Sequence, residues 1–237
     1  MMLVIVRSIS TIDNNMPNDI TQQNFDRAFK LLAGRLGLAQ NEPVRLVVCG
    51  GSALIATGLR QRTTKDVDIV ALIDSSQHLA SPDPLPSFLL EAAKQVARDL
   101  GLFDNWLNNG PSRGEGGLYQ MGLPDGFAGR LTERSYGPQL TVYFIGRLDQ
   151  IHFKLYAAAD QRDGTHLTDL RALNPTDGEL EAAARWEAEL GLEVVESRVV
   201  VFSSKTELMM TMHIGYVHAS QNLIVAELKR IRCRGVA

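Results

Sequence analysis

The stretch from Val47 to Ile73 constrains this chain more than any other part of it. Before it, Val44 to Cys49 is a short, nearly unbroken apolar run of the kind that forms a buried strand. Gly50-Gly51-Ser52 ends that run, and Ala53 to Leu59 has the composition of a short helix entered directly from the turn. A second strand is expected over Val67 to Ile73, with Asp66 and Asp68 at its very beginning. Strand, glycine turn, helix and strand in so few residues predict an α/β (α+β) protein with a mixed β-sheet flanked by helices.

The 237 residues, 45% of them hydrophobic, suffice for one full core, or for one domain with a small helical annex. A net charge of -3 supplies no global basic field, so whole-chain electrostatics do not argue for long nucleic acid as a ligand. Cys49 and Cys233 lie far apart and read as reduced thiols of a cytoplasmic protein. The apolar start, Met1 to Val6, is too short for a secretory signal, and no stretch approaches the roughly 20 apolar residues that span a membrane.

Four segments are expected. Residues 1–18 read as an irregular leader, 19–148 as the core, 149–195 as a helical extension, and 196–237 as a tail of uncertain structure whose β-branched run is Val199 to Phe202. Asp19 is placed to cap a helix with apolar positions Phe25, Phe29, Leu32 and Leu36, and Gly101 to stop one with Leu89, Ala92, Ala93, Val96, Ala97 and Leu100. The Gly- and Pro-rich segment from Asn108 to Gly129 reads as a long loop bordering a site, with one strand near Leu118 to Met121. Leu131 to Tyr136 and Leu140 to Ile145 alternate around Gly137-Pro138 as a hairpin. Helical spacing returns through Ile151, Leu155, Leu167, Leu170 and Leu173, and Thr176 with Glu179 has capping-box spacing for a last helix running through Trp186 to Leu190.

Chemistry concentrates in the first of these features. Glycines let backbone N–H groups approach a ligand closely, and the following helix start carries partial positive charge, so Gly50, Gly51 and Ser52 form a candidate phosphate cradle. Asp66 and Asp68, two apart in a strand, fall on one face with Val67 turned into the core. Adjacent carboxylates repel, and a hard cation bound through oxygens relieves them. Taken singly, a Gly-Gly turn is ordinary loop chemistry and a D-x-D at a strand edge an ordinary solvated edge. The G-G-S turn with Arg62, Thr64, Asp66 and Asp68 following one short helix is a more specific constellation.

That constellation resembles the polymerase-β-like nucleotidyltransferase superfamily, and within it the bacterial abortive-infection toxin type. The pattern Gly-Gly-Ser/Thr-Ala-Leu followed by Arg-x-Thr-x-Asp-x-Asp is matched by Gly50 to Leu54 and by Arg62, Thr64, Asp66 and Asp68. Weaker support comes from Phe153-Lys154-Leu155, Arg162 and Asp169-Leu170 in the helices beyond the sheet. The resemblance implies that Asp66 and Asp68 bind magnesium or manganese and carry catalysis. It implies that Gly50, Gly51, Ser52, Arg62, Thr64 and Lys154 hold a nucleoside triphosphate. The acceptor implied is RNA, a protein or a small molecule, with a cognate antitoxin or a second copy of the chain as partner and no membrane involved.

Many members of that superfamily set a third carboxylate on a later strand. Leu140 to Ile145 offers none, Thr141 or Gln139 standing there instead, and Glu133 on the partner strand is the candidate substitute. A degenerate domain that binds nucleotide or a partner as a regulatory protein is therefore the competing expectation. Lys154 has two readings, phosphate contact or a surface lysine with a packed stem. Asp163 and Asp169 read as a solvated face and a helix start, and His152 and His166 as residues without chemistry.

Overall fold

The computed structural model describes residues 19–160, 164–190, 198–201 and 210–213. The elements in chain order are α1 (Gln22–Leu38), β1 (Val44–Cys49), α2 (Gly50–Ala56), β2 (Val67–Ile73), β3 (Leu79–Ala80), α3 (Ser87–Leu100), β4 (Leu107–Asn108), α4 (Leu118–Met121), β5 (Thr132–Ser135), β6 (Leu140–Phe144), α5 (Arg147–Asp160), α6 (Gly164–Ala172) and α7 (Asp177–Glu189). Beyond them β7 (Arg198–Val201) and β8 (Met210–His213) pair antiparallel, within the segment expected as an uncertain tail. The leader over 1–18 and Asp163 lie outside the described residues.

One open mixed sheet, in the order β3-β2-β1-β6-β5 with β4 also against β2, forms the centre, and helices flank it. β1 lies in the middle because all its residues but Arg45 are buried, as a strand covered on both faces must be. It runs antiparallel to β2 and parallel to β6. A bulge at Val47/Val48 shifts the β1–β2 register, so that Val48 faces Ile69 and Cys49 faces Asp68. The hairpin of β5 and β6 forms as the alternation predicts, with Glu133 opposite Tyr143.

The principal core lies between the sheet and helices α1 and α3. Phe29 is fully buried, 4.9 Å from Phe25, 5.2 Å from Tyr136 and 5.8 Å from Trp106 by ring centroids, and Phe25 reaches Phe144 of β6. The Trp106 indole donates to the Ala93 carbonyl of α3 at 2.8 Å, which satisfies its N–H inside this core. A second cluster, Leu54, Ile151, Leu155, Leu170, Leu173, Leu180 and Ala183, sits among α5, α6 and α7. Leu54 belongs to α2, so the short helix after the glycine turn is the apolar joint between sheet and helical extension. None of the described helices is long and apolar enough to cross a membrane.

Two expectations change. Thr21, not Asp19, caps α1: its hydroxyl accepts the Asn24 N–H and Asn24 accepts the Thr21 N–H, while the Asp19 carboxylate accepts from the Thr63 hydroxyl at 2.8 Å. Asp19 is occupied because Ile20 pairs with Thr64, bringing the segment before β2 alongside it. The strand expected near Leu118 to Met121 is instead one turn of helix, α4, too short for periodicity to distinguish the two. Gly101 does stop α3, with φ 66°, and the Thr176–Glu179 capping box forms on α7.

Two substitutions measure these layers. Phe29→Ala should lower unfolding free energy by about 3–5 kcal/mol in denaturant titration, the usual cost of an emptied aromatic site. Thr176→Ala should cost about 1 kcal/mol, the typical value of a lost cap.

Candidate functional site

The glycine turn and the aspartates meet at one end of β1. Gly50 has φ 70°, a left-handed conformation that favours glycine, and a Cβ built on it would lie 2.8 Å from Oδ2 of Asp68. A Cβ on Gly51 would lie 2.8 Å from Nη2 of Arg62 and 3.1 Å from Oγ1 of Thr64. Both glycines are therefore places where carboxylate and guanidinium approach the backbone more closely than a side chain would permit. Val67 is fully buried between the half-buried Asp66 and Asp68, the alternation expected of a strand start. The Thr64 hydroxyl donates to Asp66 Oδ1 at 3.3 Å. Ser52 is 1% exposed and its hydroxyl donates to the Cys49 carbonyl at 3.1 Å, so it lies within the turn rather than projecting from it.

Electrostatics mark Asp68. Burial first, then the Asp66 carboxylate, push its pKa from the usual 3.8 to about 7, against the pull of Lys154 and of the Asn108 side chain. Its strand neighbour Cys49 is a buried free thiol, pushed well up by burial and then by Asp68, so it stays neutral. Two carboxylates side by side, one of them held above the usual range by burial and by the other, are a donor set that fits a hard divalent ion. Among the described residues no group of three His, Cys, Asp or Glu side chains is arranged to hold a metal. Glu133 does not supply the third carboxylate: it is exposed on β5, beyond β1 and β6 from the Asp68 strand.

Beside the aspartates stands a buried charge cluster. Asp169, 0% exposed on α6, accepts from Arg60 Nη1 at 2.6 Å and from Arg62 Nη1 at 2.9 and 2.7 Å, and pairs with Lys154 Nζ at 2.9 Å. This corrects the reading of Asp169 as a helix-start residue, since it lies within α6 and is enclosed. It also corrects the surface reading of Lys154, which is 5% exposed. Lys154 and Arg62, from segments about ninety residues apart, converge on the same carboxylate. Helical spacing explains how α5 contributes: Gln150 and Lys154, four apart, share a face, and Gln150 donates to the Gly50 carbonyl at 3.3 Å while Lys154 lies near enough to Asp68 to lower its pKa. His152 is buried, with Nδ1 2.8 Å from the Leu148 carbonyl.

Arg60 and Asn108 were not singled out from the sequence. Arg60 precedes the Arg-x-Thr pattern and its partner is 109 residues away. Asn108 opens the segment expected to border the site, and β4 sets it opposite Asp68. No family model, no curated protein and no solved structure matches the chain.

Asp68 yields a signed prediction. Below about pH 4 the group is protonated folded and unfolded alike. Between there and about 7 the folded protein retains a proton that the unfolded chain has lost, so stability falls as pH rises, and above 7 the penalty is complete. Asp68→Asn should therefore raise the Tm of metal-free protein at pH 8 by about 2–4 °C, solvent screening trimming the gain to roughly 1 kcal/mol. The gain should vanish near pH 4, as calorimetry over the range would show.

Proposed function

We propose that the chain is a metal-dependent nucleotidyltransferase of the polymerase-β-like kind, moving a nucleoside monophosphate from a nucleoside triphosphate to an acceptor: RNA, a protein or a small molecule. The observation that carries this reading is the meeting of three features at one end of β1: the Gly50-Gly51 turn, the Asp66–Asp68 pair, and the cations gathered on Asp169. The end of a central strand needs none of these charges for stability, since buried ion pairs commonly contribute little against apolar replacements. Triphosphate binding needs all three.

The roles follow from the positions. Asp66 and Asp68 would hold magnesium or manganese, which when bound neutralises charge on the attacking and leaving oxygens of an in-line displacement at the α-phosphate. The backbone at Gly50 and Gly51 lies open to a phosphate, with Ser52 buried behind it keeping the turn in shape. Arg62 and Lys154 bring positive charge to that turn and to Asp68, and Arg60 adds a third cation through Asp169. Lysine acts there as a point charge, whereas each arginine presents further N–H groups beyond the one given to Asp169. Thr64 orients Asp66 through its hydroxyl. With charges fixed beforehand in this way, positioning and electrostatics supply most of the rate.

One observation favours a second reading. The described residues hold two carboxylates at this end of β1 and no group of three metal-ligating side chains, which suits a nucleotide-binding or partner-binding regulatory protein, for example one side of a toxin–antitoxin pair. Two measurements on one preparation separate the readings. Incubation with labelled nucleoside triphosphates, magnesium and a cell extract should move label to an acceptor, and Asp68→Asn should lower transfer at least about 100-fold, the order of effect expected of a group stabilising transition-state charge. Magnesium with nucleotide at 100 times its Kd should also stabilise the protein by about 2.7 kcal/mol. Stabilisation without transfer selects the regulatory reading. Neither effect, at millimolar ligand, overturns both.

A further inference from the structure

Asp68 has two neighbours in the sheet. β1 sets Cys49 opposite it on one side, and the two-residue β4 sets Asn108 opposite it on the other, in parallel register, so that all three side chains leave the sheet on the same face. The Cys49 thiol is buried and a weak hydrogen-bonding group, so it gives the carboxylate little. Asn108 is the strong polar neighbour. Its Oδ1 accepts the Gly110 N–H at 2.7 Å, which leaves the amide NH2 as the edge available to Asp68. A Cβ on Gly110 would lie 2.8 Å from that same oxygen, so the glycine permits the arrangement.

The loop carrying Asn108 is held firmly. Ser112, fully buried, donates through its hydroxyl to the Val70 carbonyl of β2 at 2.8 Å, and Gly117 lies so close over Ser112 that a Cβ would come within 2.3 Å of its backbone. Asn109, also buried, donates to the Pro82 carbonyl at 3.1 Å and to Asp83 at 3.0 Å. Both anchors fix the backbone immediately after Asn108. Such outer-shell order around a metal-binding carboxylate sets its orientation and its affinity for the ion.

We propose that Asn108 is a positioning residue of the divalent-ion site, presenting its amide N–H to the Asp68 carboxylate from the sheet edge where no carboxylate stands. The inference rests on the reading of Asp66 and Asp68 as a metal pair. A purely local role also suits asparagine here, because asparagine and aspartate side chains both accept the N–H two residues on. The two roles part company at Asn108→Asp. That variant keeps the acceptor for Gly110 but replaces the donor facing Asp68 with a further carboxylate.

Manganese titration of the full chain, followed by electron paramagnetic resonance, tests the assignment. At about pH 8.5 the wild type should bind Mn2+ and Asn108→Ala should bind it roughly 10-fold more weakly, the scale of outer-shell effects. Asn108→Asp should bind more tightly than wild type, with an altered spectrum and a steeper loss of affinity toward pH 6, because one more carboxylate must be free of its proton. Should Asn108→Ala fail to fold, Asn108→Asp decides alone. Wild-type affinity and spectrum in the folded variants would leave Asn108 a turn residue and overturn the inference while leaving the metal pair intact. Absence of Mn2+ binding by the wild type would remove the metal pair and the inference with it.

Discussion

A single buried carboxylate ties the two halves of this protein together. Asp169 on α6 is reached by Arg60 and Arg62 from the segment between α2 and β2, and by Lys154 from α5. Removing any charge from water is costly, and three cations around one carboxylate repel one another, so Asp169 alone does not balance the cluster. The balance comes from Asp66 and Asp68, with Lys154 acting directly on Asp68 and Arg62 lying against Thr64, the partner of Asp66. Three cations then stand beside three carboxyl groups, a set divided into a cationic half and an aspartate half. A triphosphate with divalent ions is divided in the same way, its anionic oxygens suited to the cationic half and its metals to the aspartates.

The apolar structure serves this arrangement. β1 sits at the centre of the sheet and ends at Cys49, directly before Gly50, so the turn is anchored by the most buried strand of the fold. Leu54, one helical turn later, inserts into the cluster among α5, α6 and α7, which sets those helices against the turn. Lys154 and Asp169 therefore arrive at the turn as a consequence of hydrophobic packing, and their charges lock an orientation that the core has already chosen.

The sequence was informative where a local rule sufficed. The β1–α2–β2 unit, the hairpin of β5 and β6, the Gly101 stop and the Thr176 capping box all follow from short-range patterns, and each forms. The capping of α1 was misread because Asp19 engages Thr63, a partner 44 residues away that no local pattern reveals. Asp169 was misread for the same reason. Sequence spacing put a helix start near it, whereas α6 begins at Gly164, five residues earlier, and only the packing of α6 on the turn encloses it. Asn108 could be located only to a border segment, because its significance lies in a two-residue strand pairing with β2. Local chemistry thus named the aspartates and glycines, while the charges that complete the site depended on tertiary contacts.

On the proposed function, this end of β1 would receive a metal–triphosphate complex. The most direct test is a crystal structure of the protein with Mn2+ and a non-hydrolysable nucleoside triphosphate, with anomalous data collected to place the metal. An anomalous peak shared by the Asp66 and Asp68 carboxylates is expected, with phosphate density between the Gly50-Gly51 backbone and the Arg62 and Lys154 side chains. Metal and nucleotide bound together elsewhere on the protein, with the aspartates unliganded and Asp169 still enclosed by its three cations, would contradict it.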